Sequence, residues 1–196
     1  VLYYSNFNLI YDNNFVNHFI YKQVKTTNTW DNWFEGNYWS NYNGTDANQD
    51  GIGDSPYMLE EGNQDNYPLV GRFSVFNITS EYSATTISNS TIINFEFDQT
   101  NRILSLTATG KNGTLGFCRI RVPKALVNDT YTVLVDGHKP LTLKVLPQPN
   151  DEYEYIYLTF THSPSNGIIP EFPTIPILLL SSLFIALTLA AIILKK

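Results

Sequence analysis

The chain has 196 residues, is 43 % hydrophobic, and carries 12 basic against 18 acidic side chains, a net charge of −6. Binding to phosphate backbones needs clustered Lys and Arg, so this balance excludes nucleic acid as a partner. One cysteine, Cys118, rules out an intramolecular disulfide, and stability must come from packing.

The sequence starts at Val1, and no basic, apolar and small-residue leader precedes the first polar segment, so we expect the C-terminal piece of a longer protein. From Val1 to Val24, short units combine Asn with aromatic or branched residues, as in "SNFNLIYDNNFVNHFIYKQV". Asn6, Asn13, Asn14 and Asn17 suit the corners of a stacked coil, where amides adopt turn conformations and bond to the neighbouring coil. Leu9, Ile10, Phe15, Phe19, Ile20 and Val24 would fill its interior. A meander of two antiparallel strands is the alternative, since barely two units are visible.

The next segment carries Asn28-Thr29-Trp30-Asp31, Gly36-Asn37-Tyr38-Trp39-Ser40, Asp50-Gly51-Ile52-Gly53-Asp54, Pro56-Tyr57 and Asp65-Asn66-Tyr67-Pro68-Leu69. In that order these pieces resemble the segment that closes the right-handed parallel β-helix of the NosD-type family, also described as carbohydrate-binding and sugar-hydrolysis repeat proteins. The resemblance implies that residues 1–70 are the last β-helix coils and their C-terminal cap. An open solenoid end exposes apolar interior and strand edges, and Trp30, Trp33, Phe34, Tyr38, Trp39 and Tyr42 supply rings for a lid. The same rings, Trp33 and Trp39 above all, are candidates for stacking on a sugar.

Within the cap, Asp46, Asn48, Asp50 and Asp54 fall at positions 1, 3, 5 and 9 of a calcium loop, with Gly51 at position 6 and the Ile52 carbonyl at position 7. Position 12 is Tyr57 and no helical periodicity flanks the loop, so an EF-hand is excluded. The expectation is a helix-free, weak Ca2+ site of the extracellular type, completed by Asp65, Glu60 or Glu61. The alternative is a set of Asx turns without a metal. The family name suggests copper, yet His18, His138, His162, Cys118 and Met58 form no close pair in sequence.

After Gly71 the pattern changes to period 2. "FSVFNI", "TIINFEFD", "ILSLTA", "FCRIRV", "YTVLVD", "LTLKVL" and "YIYLTF" read as seven short strands separated by turn signals. The alternation puts Ile93, Phe95 and Phe97, then Leu104, Leu106 and Ala108, then Cys118, Ile120 and Val122 on inward faces. Residues 72–165 are therefore expected to form an immunoglobulin-like β-sandwich. This stretch is similar to a domain of archaeal surface proteins that precedes a Pro-Glu-Phe-Pro ending, which implies a spacer or adhesive module. Asn43, Asn77, Asn89, Asn112 and Asn128 each open an Asn-x-Ser/Thr sequon, as a glycosylated surface would.

Residues 166–174 read as a proline-bearing linker. They contain Pro170-Glu171-Phe172-Pro173, which with the following apolar run and basic tail resembles PEF-type C-terminal sorting signals. In that family the resemblance implies an archaeosortase as partner. Ile175 to Leu194 carries no charge and, as a helix of 20 residues, would span about 30 Å, the thickness of a bilayer core. Lys195 and Lys196 would mark the cytoplasmic side.

The fold class expected is thus all-β, with the terminal coils and cap of a right-handed parallel β-helix, then a sandwich, then one transmembrane α-helix. The expected protein is non-catalytic, anchored in the cell membrane by that single pass with its N-terminal part outside, and binds surface glycans or envelope proteins. A polysaccharide lyase or hydrolase with its site on upstream coils is the first alternative; here Asp12, Asp31 and Glu35 are the carboxylates available. A copper-binding accessory protein is the second.

Overall fold

The computed structural model describes residues 5–17, 27–60, 63–127, 131–147, 152–163, 166–171, 178–179 and 191–192. Phe19, Ile20, Val24, Glu61, Asn128, Phe172 and Pro173 lie outside the described residues. The chain divides into two compact units, Val1–Ser74 with Thr86–Asn89, and Val75–Thr85 with Ser90–Lys196.

The first unit stacks successive stretches of chain in parallel. Strands β1 (Asn14–Phe15) and β2 (Tyr38–Trp39) pair parallel, Leu9 bridges Thr29 parallel, and Tyr38 bridges Leu69 parallel. Two amide ladders bind the layers, because each side-chain oxygen accepts from the backbone N–H of the preceding layer. In one, Asn8 N donates to Asn28 Oδ1 at 3.0 Å and Asn28 N to Asn63 Oδ1 at 3.0 Å. In the other, Asn13 N donates to Asn37 Oδ1 at 3.2 Å and Asn37 N to Asp65 Oδ2 at 2.7 Å. Asn6 Oδ1 accepts Thr27 N and Asn14 Oδ1 accepts Phe73 N, whereas Asn17 bonds through its backbone, its N–H donating to Ser40 Oγ. Amides that would weaken a lone strand thus serve as rungs.

The interior between these layers is aromatic. Trp39 lies between Phe15, at 4.3 Å and 12° between ring planes, and Tyr57, at 4.5 Å and 14°. A hairpin of β3 (Tyr57–Glu60) and β4 (Asn63–Asp65) follows the acidic loop and brings Asn63 and Asp65 to the ends of the two ladders.

The second architecture is two sheets. Strands β5 (Arg72–Asn77), β6 (Ser83–Ser88), β9 (Leu115–Pro123), β11 (Thr142–Val145) and β12 (Tyr153–Thr161) make one, in the order β11-β12-β9-β6-β5. Strands β7 (Thr91–Asp98), β8 (Ile103–Thr109), β10 (Thr132–Val135) and β13 (Asn166–Glu171) make the other, in the order β10-β13-β8-β7. One apolar core draws on both: Leu104, Leu106, Ala108, Val133, Val135 and Ile168 from the four-stranded sheet, Cys118, Ile120, Val122, Ile156, Leu158 and Phe160 from the other. The alternation in "ILSLTA" and "FCRIRV" locates six of these. Cys118 is fully buried, a small core residue.

In β7 the alternation misleads. A bulge between Ile93 and Glu96, with Asn94 at φ 50°, turns Ile93 outward to 44 % exposure, while Ile92, Phe95 and Phe97 pack on the core.

Two expectations are corrected at the C-terminal end. Residues 166–174 are not simply a linker, since Asn166–Glu171 forms β13 between β10 and β8. Pro170 cannot donate to a ladder, and the register with β8 skips from Ile168 to Glu171 around it. The structure also does not show the transmembrane helix expected at 175–194: among the described residues, which in this stretch are 178–179 and 191–192, no helix is long and apolar enough to cross a membrane. The described backbone in this stretch is β14 (Leu178–Leu179) paired antiparallel with β15 (Ala191–Ile192). Hydropathy and length suit a helix, but branched residues such as Ile175, Ile177, Ile185, Thr188, Ile192 and Ile193 also favour extended chain. The assignment to the cell membrane as a single-pass protein, with outer and cytoplasmic parts, falls with the helix on which it rested.

Candidate functional site

The loop at residues 31–35, between Asn28 and Asn37 of the middle layer of the first unit, is held by the side chains of Asp31 and Asn32. Asp31, 1 % exposed, accepts Trp33 N on Oδ1 at 3.1 Å, and on Oδ2 both Asn66 N at 3.1 Å and Asn66 Nδ2 at 2.8 Å. Asn32 Oδ1 accepts Phe34 N at 3.0 Å and Glu35 N at 2.8 Å, while Asn32 N donates to Glu35 O at 2.9 Å. Asp and Asn favour such local turns. What the turn projects is apolar: Trp33 is 72 % exposed and Phe34 57 %. Trp33 also has φ 74°, in the left-handed region that bulky residues avoid at a cost of about 1–3 kcal/mol.

Trp39, the other stacking candidate, is 2 % exposed, has rings on both faces, and donates Nε1–H to Asp65 Oδ2 at 2.8 Å. No sugar can reach it. The two stacking candidates therefore separate into one that fills the interior and one that faces solvent.

Asp65 does not join the acidic loop. It is fully buried and accepts from Trp39 Nε1, Asn37 N and Tyr67 N. Burial pushes its carboxyl above the ordinary range, against the pull of those donors. Gly36 is required beside it, because a Cβ there would lie 1.8 Å from Asp65 Oδ1.

The acidic loop closes on itself. Asp46 accepts Asp50 N on Oδ1 at 2.9 Å and Gly51 N on Oδ2 at 3.0 Å; Asp50 Oδ1 accepts Ile52 N at 2.8 Å. Asp54 Oδ2 accepts both Thr45 Oγ1 and Ala47 N at 2.9 Å, and Asn48 Nδ2 donates to Asp50 Oδ2 at 2.8 Å. Gln49 at φ 58° and Gly51 at φ 86° make the sharp turns. Burial, with the nearby charge of Asp50, raises the Asp46 carboxyl above its usual range. The Asx-turn pattern accounts for these oxygens, and among the described residues no group of three or more His, Cys, Asp and Glu is placed to hold a metal ion. The carboxylates of Asp46, Asp50 and Asp54 are thus engaged with donors of the loop itself.

The three carboxylates considered for hydrolysis differ in their surroundings. Both oxygens of Asp31 are engaged, and Glu35 is 4 % exposed. Asp12 stands at a turn with φ 59°.

Sequence reasoning missed one polar cluster in the second unit. Ser90 Oγ lies 2.8 Å from His162 Nε2, and Thr114 Oγ1 lies 2.9 Å from His162 Nδ1. Thr114 donates its own hydroxyl proton to Lys111 O, so it accepts from Nδ1–H, which leaves Nε2 to accept from Ser90. That tautomer would suit a nucleophilic serine. Ser90 and His162 are however 5 % and 4 % exposed, and a Cβ on Gly110 would meet His162 Nε2 at 2.3 Å. The cluster ties three turns together without access for a substrate. Only contacts 48 and 72 residues apart in sequence reveal it.

Of the sequon residues, Asn43, Asn77, Asn89 and Asn112 are exposed. In the sorting-type motif, Pro170 and Glu171 pair in register with Val133 and Thr132. Comparison of the chain with protein-family models, with curated proteins and with solved structures yields no match.

Proposed function

We propose that this chain is a non-catalytic glycan-binding protein working in adhesion, in which the closing coils of a β-helix present Trp33 and Phe34 as a stacking platform. The observation that carries the reading is Trp33, a large ring 72 % exposed at a backbone conformation that costs free energy. Strain of this kind persists only where the surroundings over-determine it, and it collects at ligand-binding positions. Exposed aromatic rings at neighbouring positions suit the C–H face of a pyranose, and the exposed Gln64, joined through Asn66 to Asp31 of the same turn, offers its amide oxygen to a sugar hydroxyl.

The test is a glycan array probed with the full chain, followed by calorimetry on any glycan retained. Trp33→Ala should weaken binding at least tenfold, about 1.4 kcal/mol, with an unchanged melting temperature. Equal affinity of Trp33→Ala and the parent, or no glycan bound at all, would overturn the proposal.

A further inference from the structure

The turn that carries Trp33 is an insertion in one layer of a regular stack. Asn8, Asn28 and Asn63 hold matching positions in successive layers, linked by the bonds from Asn8 N to Asn28 Oδ1 and from Asn28 N to Asn63 Oδ1. Asn14, Tyr38 and Leu69 match as well, since Tyr38 pairs parallel with both of the others. Between these two marks the chain advances six residues in the first layer, ten in the second and six in the third. The turn at 32–35, which Asn32 N closes on Glu35 O, takes up the four extra residues of the second layer. Backbone bonds from Asp12 N to Gly36 O and from Gly36 N to Tyr67 O, both 2.8 Å, hold the three corners in line.

Trp33 and Phe34 thus project between two shorter corners. On one side stands Tyr11, 39 % exposed; on the other stand Gln64 and Asn66, both exposed. Hydrogen-bonded layers lie about 4.8 Å apart, so the corner positions from Tyr11 to Gln64 extend over about 10 Å along the stacking direction. That is more than one sugar ring covers. Charge along this edge has one sign: no Lys or Arg occurs among the described residues 5–17, 27–60 and 63–70, whereas Asp12, Asp31 and Glu35 stand at the corners.

We propose that the ligand is an uncharged polysaccharide bound along its chain in the stacking direction, with one sugar on Trp33 and Phe34 and its neighbours beside Tyr11 and Gln64. This rests on the glycan-binding reading of Trp33 and names the class of glycan. Tyr11 offers a second aromatic face, and the Gln64 amide oxygen accepts from a hydroxyl. A uronate chain would bring like charge against Asp12, Asp31 and Glu35.

The test is calorimetry on the full chain with cello-, xylo-, manno- and chito-oligosaccharides from disaccharide to hexasaccharide, and with oligogalacturonates of matched length. For at least one neutral series, affinity should rise at least tenfold from disaccharide to tetrasaccharide, and the oligogalacturonates should bind at least tenfold more weakly. Tyr11→Ala should lower the affinity for the tetrasaccharide at least threefold and leave the disaccharide unchanged, whereas Trp33→Ala should weaken both. Should Tyr11→Ala fail to fold, Gln64→Ala gives the same readout at the opposite corner. Affinity that does not grow with length, oligogalacturonates bound as tightly as the neutral chains, or a folded Tyr11→Ala variant with the parent's length dependence would each overturn this proposal while the platform role of Trp33 stands. A parent that binds no neutral series overturns it too, and one that binds no glycan of any kind overturns the reading of Trp33 as well.

Discussion

Asp65 shows how one side chain can change the expected pH response of the unit that contains it. Its carboxyl is raised by burial, and Asp46 is raised by burial and by Asp50. An acid with a folded-state pKa above its unfolded value binds more protons when folded between the two values, so stability falls as pH rises through that window. Acidification from neutral pH toward these raised values should therefore stabilise the first unit through both groups. Thermal melts of Asp65→Asn and the parent between pH 7 and 4 check this, since the variant should lose the Asp65 share of the slope. Asp65→Ala is a harsher change, because it leaves the donors of Asn37, Trp39 and Tyr67 without an acceptor; a loss of about 3 kcal/mol or more is expected in denaturant melts. The two tryptophans predict opposite outcomes. Trp39→Ala removes the middle ring of a three-ring stack and should cost about 3–5 kcal/mol. Trp33→Gly relieves a positive φ and should leave stability unchanged or raise it by up to about 1 kcal/mol. In the sequence both residues are simply Trp within an aromatic run. What separates them is the position of Phe15 and Tyr57, which no local pattern encodes.

Elements whose residues alternate strictly were legible, and those governed by a partner strand were not. Leu104, Leu106 and Ala108 announce β8 because every second residue is apolar. Strand β6, "SATTIS", is hidden in the sequence because it has no alternation: Ala84 through Ser88 are buried in succession, and Thr and Ser replace the usual aliphatic side chains. Strand β13 was hidden by Pro170, since a proline argues against a strand with neighbours on both sides. The C-terminal apolar run, interrupted only by Pro176, Ser181, Ser182 and Thr188, carries no period with which to tell helix from strand. The turns around His162 give an element-level prediction. Gly110→Ala would drive a Cβ into the imidazole, and Gly116 already stands where a Cβ would come 2.4 Å from Phe160. Each substitution should lower the stability of the second unit by about 1–3 kcal/mol in denaturant melts.

At the scale of the molecule, a change in repeat chemistry marks two kinds of architecture. Amide-rich, aromatic sequence up to Leu69 makes parallel layers in which side-chain rungs supplement the backbone bonds, and alternating sequence after it makes sheets whose strands pair antiparallel along β11-β12-β9 and β10-β13-β8-β7. That change of chemistry was readable from residue types; the pairing order of the sheets was not, because it depends on contacts far apart in sequence. The order matters for how the chain acquires its fold. Strand β13 is the last of the nine sheet strands in sequence, yet it lies inside its sheet, and β10 has no other ladder neighbour there. As a ribosome delivers the polypeptide, β10 waits without a partner while more than thirty further residues emerge. Residues 132–135 then pass that interval with open backbone groups and apolar side chains, in the state where folding competes with misassembly.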